Sequence, residues 1–175
     1  MATKLPQFRQ TTQGFSLVEM IIYLALLSSV TVFLVNGISA LTKSYADIRL
    51  AKAVSASASG ALQRIVYEVR QASSINIGGS TFGSNPGVLS LVSTSASGAT
   101  TTVAFSVNNG ILRVSRGGVD EGPLTLSGAS VTNFTLVLLQ NSISNAIRIT
   151  LTVQSSFGVK TRTETFYTTA VTRNM

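Results

Sequence analysis

Apolar positions follow three successive rhythms along this chain: an unbroken run, a period of three to four, and a period of two. The unbroken run is Met20 to Thr42, 23 residues without a charge. Roughly 20 such residues in a helix cross the hydrocarbon of a bilayer, so the run predicts a membrane-competent helix. Beyond it, Tyr45, Ile48, Ala51, Val54, Ala58, Ala61, Ile65, Val69 and Ala72 recur at three and four, the spacing of one helical face. Lys43, Arg49, Lys52, Ser55, Ser59, Gln63 and Arg70 lie largely off that face. No proline interrupts residues 15–72. One helix is therefore expected over the whole stretch, about 87 Å long at 1.5 Å per residue. Its alanine-rich stripe (Ala51, Ala58, Ala61, Ala72) suits close approach of a sheet, and core packing is the reading for that face. Arg64 and Glu68 stand four apart and can pair along it. Gly60 is a local weakness. Asn36-Gly37 is read as a soft spot where the helix can stretch, since glycine costs about 1 kcal/mol relative to alanine in a helix.

The period of two begins after the glycine-rich turns at Gly78-Gly79 and Gly83 to Gly87. Strands are expected at Val88–Val92 and Val103–Val107, with Ser93–Thr101 as a Ser/Thr loop between them. Asn109-Gly110 is a two-residue hairpin signal, and Leu112–Val114 continues in the return strand. Gly117-Gly118 and Gly122-Pro123 flank an acidic turn at Asp120-Glu121. Leu124–Leu126 reads as a short strand. Val131–Gln140 is longer and alternates less cleanly. Ala146–Gln154 alternates strictly, with Ile147, Ile149, Leu151 and Val153 on one face. Val159–Val171 is the last strand. A helix followed by a run of strands predicts α+β, with the long N-terminal helix packed by its stripe on one face of a C-terminal antiparallel β-sheet.

Composition then narrows the chemistry. The 175 residues contain no cysteine and no histidine. Thiolate sites and disulfides are excluded, together with the commonest general base and metal ligand. The adjacent acids Asp120 and Glu121 read as solvated surface. They are too few for a calcium loop, which takes six to eight oxygens. No phosphate-binding glycine loop is present. Asn133-Phe134-Thr135 fits a glycosylation pattern but falls inside an expected strand. No cofactor, metal or enzyme activity is expected. The net charge of +7 is spread along the chain, which points to a basic surface. The sharper alternative is that Arg113, Arg116, Arg148, Lys160 and Arg162 converge to contact phosphate, and nucleic acid is not favoured as a partner.

One residue is out of place. Glu19 stands at the mouth of the apolar run, and a carboxylate near bilayer hydrocarbon is costly unless paired. A cut between Gly14 and Phe15 would create an ammonium at Phe15, one helical turn from Glu19. The same amine suits Glu19 of a second molecule, a pairing that would set the register of an assembly. Residues 1–14 are polar and carry Lys4 and Arg9 without an acid. A secretory signal would place its apolar core before the cut; here the apolar part follows. Ile38-Ser39-Ala40 fits a signal-peptidase site only weakly. Lys4 and Arg9 favour a cytoplasmic N-terminus, although Lys43, Arg49 and Lys52 follow the run.

Gly14-Phe15-Ser16-Leu17-Val18-Glu19 and the apolar run behind it resemble the class III signal of type IV pilin-like proteins, which include pilins and the pseudopilins of type II secretion and competence systems. The close resemblance covers residues 1 to about 42; the remainder is similar in architecture. It implies a leader at 1–14 removed by a prepilin peptidase between Gly14 and Phe15. It also implies N-methylation of Phe15 and a role for Glu19 in filament assembly. Residues 15–42 become the transmembrane and filament-core half of the helix, 43–72 its amphipathic half, and 73–175 the sheet domain. Many pilins carry proline where Asn36 stands here, so the usual kink is not implied. The implied partners are the peptidase, other pilins or pseudopilins, an inner-membrane assembly platform and the lipid bilayer. The globular part would lie on the periplasmic or extracellular side. The reading is a minor pseudopilin of a type II secretion system, similar to the J-type component. A minor pilin of a type IV pilus or DNA-uptake system is the alternative, and a single-span membrane-anchored binding domain that never assembles is the alternative of another class.

Overall fold

The computed structural model describes Gly14 and residues 16–95, 98–140 and 145–172. Helix α1 runs Leu17–Gln71. The Ser16 carbonyl accepts the first helical bond, from the Met20 N–H at 3.2 Å, which makes Ser16 the N-cap. Serine suits that position, and Glu19 in the first turn complements the positive end of the helix dipole. At the other end the Ala72 N–H still bonds to Glu68. The Ser73 N–H then bonds to Val92 at 2.8 Å, so the chain passes from helix to sheet without a loop. The chain divides into two compact units, one ending at Ser44 and one beginning at Tyr45.

In the second unit, the strands are β1 Ser74–Ile75, β2 Val88–Thr94, β3 Thr100–Asn108, β4 Ile111–Arg116, β5 Val119–Pro123, β6 Ala129–Gln140, β7 Asn145–Phe157 and β8 Lys160–Val171. All pairings are antiparallel. The helix and strand classes match the expected α+β pattern. The expected single sheet, however, is two: a five-stranded meander β1-β2-β3-β4-β5 and a three-stranded sheet β6-β7-β8. The division arises because loop backbone, not a strand, takes the second edge of β6. Gly83 and Gly87 donate to the carbonyls of Leu136 and Phe134 at 2.8 and 2.7 Å. Asn85 accepts from the Phe134 N–H and donates to the Thr132 carbonyl. A Cβ on Gly87 would lie 3.0 Å from the Phe134 oxygen, so glycine permits this approach. Near the start of β6, the Val131 N–H reaches the Gly110 carbonyl at 2.7 Å.

Three other expectations are corrected. Asp120-Glu121 is not a turn but the middle of β5; the turn is Gly117-Gly118, both with positive φ (58° and 83°). Leu124–Leu126 is not a strand: the Leu124 N–H goes to Leu112 and the Leu126 N–H to the Ser57 hydroxyl of α1. The helix stripe is also shifted in its first turns. Ala46 and Leu50 are buried there, while Tyr45 and Ile48 are exposed. From Val54 onward it follows the expected phase.

The core of this unit is one cluster in which α1, through Val54, Ala58, Ala61, Ile65 and Val69, meets residues of both sheets. Phe105 and Leu89 come from the larger sheet, Phe134, Leu136 and Ile149 from the smaller. Strand β7 keeps the expected alternation: Ile147, Ile149, Leu151 and Val153 are fully buried. The imperfect alternation of β6 has a cause in its bulge between Val131 and Asn133. One extra residue lets Val131 and Phe134, three apart, both face inward. Asn109-Gly110 forms the expected two-residue turn, with φ of 50° and 74°, the signs of a type I′ hairpin.

Candidate functional site

Along the first part of α1, apolar side chains point outward on every side. Leu17, Leu27, Phe33, Ile38 and Leu41 are all more than half exposed. None of the most apolar 18-residue window is buried. A helix apolar all round belongs in a large core or a membrane, and this one is long and apolar enough to cross a bilayer. That agrees with single-pass anchoring. Two of its hydroxyls are turned inward onto the helix: Thr31 and Thr42 donate to the carbonyls of Leu27 and Ile38 at 2.8 and 2.9 Å. This satisfies hydroxyls that hydrocarbon would leave without partners.

Glu19 is less exposed than the apolar residues beside it. The Tyr23 hydroxyl, one turn along, donates to its Oε1 at 3.1 Å. This bond was not legible as a pairing, although the spacing of four was its signal. It uses one of roughly four acceptor positions on a carboxylate, so Glu19 retains the capacity to accept from a cation. Gly14 is exposed. Phe15, and with it the proposed cleavage, methylation and amine pairing, lies outside the described residues, as do residues 1–13 of the expected leader at 1–14. Asn36 and Gly37 sit within unbroken helix. A Cβ on Gly37 would meet nothing within 4 Å, so no neighbour requires glycine there.

The sheet unit carries a second polar constellation. Glu68 is only 4% exposed and receives Arg116 at 2.7 Å and Arg64 at 2.9 Å. Glu121 accepts from the same two arginines, at 2.8 and 3.2 Å. The expected Arg64–Glu68 pair is thus one edge of a four-residue network. Two of its other three edges join residues 48 and 57 apart in sequence, which periodicity does not reveal. The hydrogen bond to Glu121, then the charges of Glu68 and Glu121, raise the Arg116 pKa against the opposing effect of burial. The Arg113 Nε donates to Asp120 at 2.7 Å. That bond, with the Gly122 N–H, holds the Asp120 carboxyl below its usual range.

These contacts also bear on the five cations considered for phosphate contact. Arg113 and Arg116 belong to β4, the other three to the smaller sheet. Arg113, Arg116, Lys160 and Arg162 each engage a carboxylate. No group of three or more metal-ligating side chains occurs among the described residues. The open groove of about 470 Å³ between α1 and β8 is lined by Leu62, Val66, Tyr67, Arg70 and Tyr167, with neither carboxylate nor nucleophile beyond hydroxyls. Among the described residues, the apolar helix with one carboxylate near its start is the candidate site. Comparison with family models, curated proteins and solved structures finds no match to this chain.

Proposed function

We propose that this chain is a prepilin-type structural subunit, a minor pseudopilin or minor pilin, held in the inner membrane and assembled into a type IV pilus-like filament. A type II secretion filament is the favoured setting. The observation that carries the reading is the Gly14-to-Glu19 motif at the start of a helix whose apolar surface is exposed on all sides. After cleavage the new amine at Phe15 neutralises Glu19 of a neighbouring subunit. Extraction from the bilayer transfers the helix from lipid to the apolar core of a filament. Packing of side chains such as Leu27 and Phe33 against neighbouring helices supplies cohesion, and it keeps out of water a surface whose exposure would cost about 25 cal/mol per Å². The pairing of Glu19 with an amine sets the register, because an unpaired carboxylate in that core is costly.

The test is the intact mass and N-terminal residue of the protein taken from its native membrane. A chain starting at N-methylated Phe15 supports the proposal. A start at Met1 rejects processing, and a start near Leu41 indicates ordinary secretion. The Tyr23–Glu19 hydrogen bond favours a second reading, an uncleaved anchor for a binding domain, because it gives the carboxylate a donor within its own helix. Crosslinking through the helix separates the two: ladders of subunits for a filament, monomers for an anchor.

A further inference from the structure

The turn joining β7 to β8 is Gly158-Val159. Tips of two-residue turns favour Gly, Asn and Asp, which tolerate positive φ and meet water. Here the second turn residue is valine, and its side chain is completely exposed, at 103%. Phe157 beside it is 45% exposed. Two contacts tie this apolar tip to one turn of α1. The Arg49 guanidinium lies 4.8 Å from the centre of the Phe157 ring. The Lys160 Nζ donates to both carboxylate oxygens of Asp47, at 2.7 and 2.8 Å. Arg49, Lys160 and Arg162 stand at or next to the tip, and Asp47 and Glu164 pair with two of them, which leaves the tip net positive.

Asp47 stands five residues beyond Thr42, where the uncharged run ends. A chain extends at most about 3.6 Å per residue, which keeps Asp47 within about 18 Å of that end. We propose that the Phe157–Lys160 hairpin tip is a second membrane contact. Val159 and Phe157 enter the headgroup layer of an anionic bilayer, and the net positive charge of the tip draws it to lipid phosphate. Apolar residues flanked by Lys and Arg are the composition of interfacial anchors, and basic groups near an anionic leaflet add electrostatic attraction. This rests on the reading of Met20–Thr42 as a bilayer span, but not on filament assembly. It adds a step to assembly: the sheet unit must leave the lipid surface before the helix is extracted.

The chain has no cysteine, so a single Val159→Cys accepts one environment-sensitive fluorophore. The full-length variant is reconstituted in vesicles of phosphatidylglycerol and phosphatidylcholine bearing lipid-borne quenchers at headgroup or deep acyl positions. Phe33→Cys reports the span. Val119→Cys, 70% exposed, is the aqueous control; it lies in the hairpin whose Arg116 reaches Glu68, roughly 30 Å along α1 from Asp47. The expected result is headgroup-level quenching at 159, deep quenching at 33 and none at 119. Quenching at 159 falls when phosphatidylglycerol is replaced by phosphatidylcholine. A water-like signal at 159 with deep quenching at 33 overturns the hairpin contact and leaves the span intact. Water-like signals at both positions overturn both readings. A label at 159 that is shielded from water yet untouched by lipid quenchers places the tip against another protein, and also overturns the proposal.

Discussion

Phe33 and Phe134 carry the same side chain into opposite surroundings. Phe134 is wholly buried, packed in the cluster of the sheet unit. Phe33 is 77% exposed, and its neighbours along the run are exposed with it. The contrast extends through α1. From Ala46 onward the helix is apolar on one face, and that face finds its partner in the same chain. Before Ser44 it is apolar all round, and none of its residues from Leu17 on is classed as buried. A one-sided stripe is the mark of a helix that folds onto its own domain. An all-round apolar surface is the mark of a helix made for another medium, lipid or a bundle of like helices.

The strongest way to break this comparison is to truncate both rings. Phe134→Ala should cost the sheet unit about 3–5 kcal/mol, read by urea denaturation followed by circular dichroism. Phe33→Ala should change the stability of that unit by less than about 0.5 kcal/mol. A comparable loss from both would mean that the apolar run supports the sheet unit after all. Glu68→Gln comes next. It leaves two arginines facing a neutral amide, and a loss of about 2–3 kcal/mol is expected, at or below the low end for a broken buried pair because Arg64 and Arg116 remain 39% and 35% exposed. No loss would show that the network is decoration on a helix already held by its apolar stripe.

Gly110→Ala tests the seam between the two sheets. Its φ is 74°, and a Cβ there would fall 2.3 Å from the Ser130 hydroxyl, so a cost of about 2 kcal/mol is expected from strain and displacement. The matching change Gly37→Ala meets no neighbour and should leave the thermal midpoint of the sheet unit unmoved. The smallest effect is at Asp120, whose carboxyl is held low first by Arg113 and then by the Gly122 N–H. Its folded pKa lies below its unfolded one. Its contribution is therefore complete above the ordinary value, about pH 4, and fades as pH falls through the folded value. The stability gap between wild type and Asp120→Asn should be present near neutrality and close in acid. A gap that persists unchanged at low pH would exclude ionisation of Asp120 as its source.

Much of this architecture was legible residue by residue. The strict alternation of Ile147 to Val153 marked both a strand and its inward face. Asn109-Gly110 marked a turn, because few other pairs accept two positive φ angles. The apolar run and Glu19 marked the candidate site. The Tyr23 hydrogen bond was present as a spacing of four but did not announce itself, since tyrosine in such a run reads first as bulk. Val159 was read only as the start of a strand; its exposure at a hairpin tip appears once Lys160 is seen to reach Asp47 across 113 residues.

What the sequence by itself determined are the features set within a few residues: the helix from its unbroken apolar run and the stripe behind it, the strands from their period of two, the turns from glycine and asparagine. What only the tertiary structure decided are the features that depend on which distant groups meet. One sheet became two because Gly83 to Gly87 occupies an edge of β6, about 50 residues later in the chain. An acidic pair became a strand because Arg64, Arg113 and Arg116 neutralise it. The stripe of α1 took Ala46 and Leu50 in place of Tyr45 and Ile48, since a helix can roll by a fraction of a turn without breaking a backbone bond. Periodicity measures what a segment is able to bury; only packing selects the partner against which it is buried.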